Sequence, residues 1–203
     1  KMPKEVKENE SSDSVFDICD EAGIKEMYLV DDNMAGFLEA FTNAEDLKIK
    51  LVFGLRLTFC PDSSNKSEDG RRNSYKNIVF AKNTKGYKQL IKIYTFAAQE
   101  GFYYEPRIDF ERLKSLWSND LLLGIPFYDS FLYNNKYKDS QCVPNFSFTE
   151  PVFFTEDNDV LLDKDMQARV LDFCSNKYKT VRTKSIYYKN KNDFSAYLTF
   201  RCI

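Results

Sequence analysis

Apolar positions along the chain recur with two periods, and the switches between them mark out alternating helices and strands. Val15, Ile18, Cys19 and Ala22 follow helical spacing after Ser14, a residue suited to the N-cap, and Gly23 closes the segment. Met27 to Val30 reads as a short buried strand, closed by Asp31-Asp32-Asn33. A second helix then turns Phe37, Ala40, Phe41 and Ala44 inward. From Leu51 to Phe59 the period drops to two. Leu51, Phe53, Leu55, Leu57 and Phe59 share one face, while Val52, Gly54, Arg56 and Thr58 share the other. Residues 61–76 are rich in Ser, Asn and Asp without periodicity, which predicts a mobile surface loop.

The most coherent stretch is Asn77 to Asp109. An apolar run ends at Ala81, Asn83 offers a side chain for capping, and Tyr87, Leu90, Ile91 and Tyr94 recur as one helical stripe. Gly101 follows the last turn, where a left-handed residue is common. Phe102, Tyr103, Tyr104, Glu105, Pro106, Arg107, Ile108 and Asp109 then predict a rigid, packed connector.

Beyond it, Asp109 caps a helix with Phe110, Leu113, Leu116 and Trp117 inward, and Leu121 to Ile125 is a strand ended by Pro126. Residues 127–145 read as irregular. Phe146 to Phe148 and Pro151 to Thr155 are short strand candidates. Asp163 caps a helix through Met166, Val170, Leu171 and Cys174, Ile186 to Lys189 reads as a strand, and Phe194, Tyr197 and Leu198 mark a terminal helix. Strands alternating with helices at this spacing predict an α/β fold with a mostly parallel sheet, open or closed into a barrel. The pattern gives one domain over residues 13–203, after a polar, flexible arm at 1–12. In a barrel, Arg56 points towards the lumen or its mouth, where a charge must be paired.

Composition narrows the chemistry. The 203 residues carry a net charge of −2, so no basic field draws in nucleic acid and strong nucleic-acid binding is not expected. The acidic balance disfavours DNA binding through aromatics and scattered Lys/Arg most of all. The five cysteines form no C-x-x-C pair, as suits a reducing, cytoplasmic setting. No apolar run reaches the ~20 residues of a membrane span, and no signal peptide stands at the start. Histidine is absent altogether. That excludes Ser/His/Asp and Cys/His devices, and no Gly-rich nucleotide loop occurs.

The segment Lys82, Asn83, Gly86, Tyr87, Leu90, followed by Glu100 to Tyr104 and Pro106 to Asp109, resembles the PHP domain of the bacterial DNA polymerase III alpha subunit. Met27 to Gly54 resembles that family's strand, T-D-H-G-N-M-x-G turn, helix and next strand, through Asp31 or Asp32, Asn33, Met34, Gly36, Ile49, Lys50 and Gly54. Pro151 to Asp159 resembles its P-V-V-A-T-N-D-x-H, and Asp163 to Phe173 the helix after it. The resemblance implies a PHP-type (β/α) barrel with outer helices, and in active members a metal cluster of histidines and carboxylates that hydrolyses phosphoesters. Here each ligand motif has changed. The family's H-x-H has no counterpart in residues 1–12, the T-D-H-G-N turn has become Val30-Asp31-Asp32-Asn33, the Glu of G-x-E is Arg56, the position of the family's His before the next strand falls near Lys76, and D-x-H is Asp157-Asn158-Asp159. At an effective dielectric of 20, a charge 4 Å from Arg56 interacts by about 4 kcal/mol, and for a divalent cation that interaction is repulsive.

These observations lead to the expectation of a catalytically inactive PHP-like domain, a structural or protein-interaction module of DNA replication, with no resident cofactor. Its partners would be replisome components or a second copy of itself. The resemblance implies a much longer segment than the 19 residues that separate Phe131 from Pro151 here, and a first strand that residues 1–12 do not match, so the expectation is a reduced or distorted barrel of about six strands with open edges. A stand-alone gene of the kind a phage carries and a piece of a longer polymerase both fit this reading. The alternative is a Mg²⁺- or Mn²⁺-dependent phosphoesterase or 3′–5′ exonuclease using Asp31, Asp32, Glu156, Asp157 and Asp159, a set of oxygen ligands able to bind such ions weakly.

Overall fold

The structure, a computed structural model, describes residues 15–188 and 191–202. The expected arm at 1–12 and the Ser14 cap lie outside the described residues. Helix α1 (Val15–Glu21) buries Phe16 and Cys19, not the expected Val15 and Ile18, because the alanines at 40 and 44 of the next helix leave room for the Phe16 ring. Strand β1 (Glu26–Asp31) is an edge strand with Tyr28 57% exposed, where a buried strand was expected. Helix α2 (Phe37–Asp46) turns Asn43 inward in place of Phe41. Strand β2 (Lys50–Phe59) follows the alternation read from the sequence: Leu55, Leu57 and Phe59 are buried against helices.

The segment at 61–76 is not a structureless loop. It carries α3 (Glu68–Arg72) and runs into β3 (Tyr75–Ala81), and Ser63 within it is buried. The reason is Arg107, which is fully buried and, among the described residues, hydrogen-bonds to backbone carbonyls. Its guanidinium donates to the carbonyls of Gly101 at 3.2 Å, Asn65 at 3.3 Å and Ser63 at 3.5 Å, and lies 5.0 Å from the Tyr103 ring centre. A buried cation needs such acceptors, and they fix the loop. Asp109 reinforces the joint. One oxygen accepts from the Arg112 amide at 2.7 Å as an N-cap, and the other accepts from the amide and hydroxyl of Ser63.

Helix α4 (Thr84–Ala98) has its expected cap, with Asn83 accepting from the Gly86 amide at 3.0 Å. Its buried stripe is Gly86, Leu90, Ile93 and Ala97, while Ile91 is exposed. The two-residue β4 (Arg107–Ile108), α5 (Phe110–Ser115) and β5 (Leu121–Ile125) follow. Ser130 caps α6 (Phe131–Tyr137) in the stretch expected to be irregular. Residues 146–148 form a turn, not a strand, before β6 (Val152–Glu156). Helix α7 (Leu161–Cys174) starts ahead of Asp163, so Asp163 is a first-turn residue and not the cap. The next strand is β7 (Lys179–Thr183), and no strand forms at 186–188. Helix α8 (Phe194–Arg201) ends the described chain and buries no residue.

The sheet runs β1-β2-β3-β5-β6-β7, with β4 paired to β2. Only β3 runs against its neighbours, since the compact 60–74 segment returns the chain without a helical crossover. The other four pairings are parallel. This mostly parallel sheet curls into a half-barrel with helices outside, as a reduced PHP-type barrel requires. The core lies between the convex face and the helices, where Leu57, Val79, Leu123 and Phe153 meet Leu90, Ile93, Leu113, Phe131 and Met166.

Candidate functional site

The concave face bounds a cavity of about 920 Å³. Tyr28, Val30, Phe80, Leu122, Phe154 and Val181 form its walls, and Asp31, Asp32, Arg56, Tyr128, Glu156 and Ser185 stand at the rim where the strands end. Phe80 is its centre, with Tyr28 and Phe154 edge-on at 5.9 and 6.3 Å. Gly54 and Gly124 make this possible. A Cβ on either would stand 2.7 or 2.9 Å from the Phe80 ring.

Arg56 reaches the rim from the inner face of β2, as the alternation predicted. Its Nε donates to Asp32 Oδ1 at 2.6 Å and its Nη2 to Oδ2 at 2.9 Å, a bidentate pair. The hydrogen bonds from Arg56 hold the Asp32 carboxyl below its ordinary pKa, and Asp32 in turn raises that of Arg56. Asp31 turns back on the chain, accepting from the Asp32 amide at 2.6 Å.

A second cation stands one residue pair further along, since Thr58 lies opposite Lys76 in the β2–β3 register. Lys76 Nζ donates to Thr58 Oγ1 at 2.6 Å and to Glu105 Oε2 at 2.9 Å, and the Thr58 hydroxyl also bonds Glu105 at 2.6 Å. Burial pushes the Glu105 carboxyl up, but the Lys76 ammonium and Thr58 hydroxyl outweigh it and the net shift is down. Glu105 was not among the expected site residues. Its signal was its place in the connector, where the strained Tyr104 at φ +61° before it and Pro106 after it aim the carboxylate back at β3.

The remaining acidic candidates do not converge. Glu156 is buried and accepts from the amide and hydroxyl of Ser185 at 2.8 and 2.7 Å. Asp157 pairs with Arg182 at 2.9 Å, and Asp159, fully exposed, with Lys164 at 3.1 Å. Asn158 bonds Asp163 at 2.7 Å, and the same carboxylate accepts from Tyr128 at 2.8 Å. Burial, and then that hydrogen bond to Asp163, raise the Tyr128 hydroxyl pKa.

Among the described residues no three His, Cys, Asp or Glu side chains stand close enough to hold a metal ion. Borderline metals favour imidazole and thiolate donors, and a cluster of hard cations needs several carboxylates turned to one point. The donors here are turned to Arg56, Arg182, Lys164 and Ser185 instead. The residues present do not fit the metal cluster that the resemblance implied.

A family model described as the PHP domain matches residues 9–130. The DNA polymerase III subunit alpha of Aquifex aeolicus is 28% identical over 181 residues, covering 81% of this chain and 16% of that protein. The same subunit of Borreliella burgdorferi is 36% identical over 84 residues, 40% of this chain and 7% of that protein. That of Helicobacter pylori strain 26695 is 33% identical over 95 residues, 46% of this chain and 8% of that protein. The chain thus spans about a sixth or less of the length of these curated relatives.

Proposed function

The chain belongs to the PHP domain family, and from that premise we propose that it is a non-catalytic member, serving DNA replication as a structural and protein-interaction module. The observation that carries the reading is that cations of this chain stand at and beside the rim, paired to its own carboxylates. Arg56 stands where the family resemblance places a carboxylate ligand, Lys76 near where it places a histidine, and each is bonded to a carboxylate of this chain. A divalent ion entering there would displace Arg56 from Asp32 and meet its uncompensated charge. The walls below are apolar and aromatic, a surface that suits packing better than the handling of a phosphoester.

A nuclease assay tests this. With Mn²⁺ or Mg²⁺ and a 3′-recessed or single-stranded primer, no nucleotide release above a protein-free control is expected. Metal-dependent release that disappears in Asp157→Ala would overturn the proposal. Titration calorimetry gives a second readout, with no Mn²⁺ binding tighter than millimolar expected.

A further inference from the structure

Both ends of the curled sheet are open: among the described residues no strand pairs with the outer edge of β1 or of β7. The two edges are unlike. On the concave side β1 presents Glu26, Tyr28 and Val30, and β7 presents Lys179, Val181 and Thr183. In the parallel register that sets Glu26 opposite Lys179, Tyr28 falls opposite Val181 and Val30 opposite Thr183. These are an opposite-charge pair, an aromatic/β-branched pair and a β-branched pair, the combinations that stabilise neighbouring strands. We propose that the edges of two copies of this chain meet in this register, β1 of each on β7 of the other, so that two half-barrels close into one barrel about a two-fold axis along the strands.

Three observations select a second copy. All strands but β3 share one direction, so a two-fold axis parallel to them keeps β1 and β7 parallel at both seams. Like-with-like pairing is opposed by charge, less so where a charge is already paired within the chain: two β1 edges would bring Asp31 to its copy beside the Lys50-paired Glu26, and two β7 edges Lys179 and Lys184 to theirs. The exposed Tyr28 and Val30, at 57% and 36%, are the apolar surface that closure would cover. Glu26 already holds Tyr28 Oη through Oε1 and Lys50 through Oε2, which fixes its carboxylate at the seam with lone pairs to spare.

The proposal names the partner left open by the interaction-module reading and rests on it, but the two fail separately: nuclease activity overturns that reading, and the solution mass decides this one. Sedimentation equilibrium of the whole chain at 1–100 µM should give a dimer, twice 23.8 kDa. Lys179→Glu should weaken dimerisation at least tenfold with unchanged circular dichroism, and Glu26→Lys/Lys179→Glu should recover it. Amides of β1 and β7 should exchange more slowly with rising concentration. A monomer at 100 µM, an open series of larger species, or a dimer indifferent to Lys179→Glu would each overturn the proposal.

Discussion

Asp32 grips Arg56 through both carboxylate oxygens, at 2.6 and 2.9 Å, across the turn after β1 and the inner face of β2. The pair joins two strand ends that would otherwise carry opposite, unmatched charges at the mouth of an apolar cavity. Both side chains remain about half exposed, at 44% and 50%. Solvent and salt therefore screen the pair, and its contribution belongs in the range of surface ion pairs despite good geometry.

Arg56→Ala should accordingly cost about 0.2–1 kcal/mol at neutral pH and low salt, less in 1 M NaCl. The pH dependence has a definite sign. The folded pKa of Asp32 is depressed, so its stabilisation is present above the ordinary Asp value and fades as pH falls through the folded one. Urea melts of the two proteins should differ most near pH 7 and converge in strong acid. A gap that widens on acidification would contradict the pairing.

Lys76, Thr58 and Glu105 make a tighter knot, in which burial works against the carboxylate and the ammonium compensates it. Lys76→Met keeps the length of the stem but leaves Glu105 without its cation. The Glu105 pKa should rise, and stability at pH 7 should drop by about 1 kcal/mol, a modest figure because the carboxylate is 43% exposed. Adding Glu105→Gln should recover most of the loss, which a double-mutant cycle by thermal melting would read.

The strand–helix–connector unit at 77–109 was legible because its residues are tied to local geometry: Asn83 caps and Arg107 anchors. Arg56 was legible from strand alternation, although its partner was one of two adjacent aspartates that spacing could not tell apart. Helix faces were less so. Bulk pointed to Ile91 in α4, whereas the helix packs through Gly86, Leu90, Ile93 and Ala97, where small residues let the backbones approach. The 61–76 segment looked like a polar loop because its order comes from carbonyls bound by a residue some forty positions away. Strand β7 was legible only as a solvated strand face carrying Lys179 and Arg182, because these flank a single inward aliphatic residue, Val181, and its place in the sheet was given instead to the more β-prone Ile186, Tyr187 and Tyr188, which remain outside it.

Gly101 owes its place to proximity, not to a left-handed backbone. A Cβ there would lie 2.0 Å from the carbonyl oxygen of Arg107, backbone that cannot swing aside. Gly101→Ala should force the connector off α4 and disturb the carbonyl that receives Arg107 Nε. A loss of roughly 2–4 kcal/mol is expected, with Arg107→Met at least as severe because three carbonyls lose their donor together. Denaturant melts would check both, and a Gly101→Ala protein as stable as the parent would contradict the close approach.

The thiols give a probe of the fold that needs no mutation. Burial lifts the pKa of Cys60 and of Cys174 to about 11 and raises that of Cys142, so little thiolate is present at pH 8 even where a reagent could reach the sulfur. Cys19 is buried as well, against Ala40 and Ala44, whereas Cys202 is exposed. Titration of the native protein with a disulfide reagent at pH 8 should give one fast equivalent from Cys202. A slower one should follow from the half-buried Cys142, with the other three reacting only as the protein unfolds. Lys76→Met and Gly101→Ala, if they loosen β2 and the connector, should speed the reaction of Cys60, whose amide bonds the Ile108 carbonyl at 3.1 Å beside the joint. Fast reaction of all five thiols in the parent would mean that the core between the half-barrel and its helices is not closed in solution.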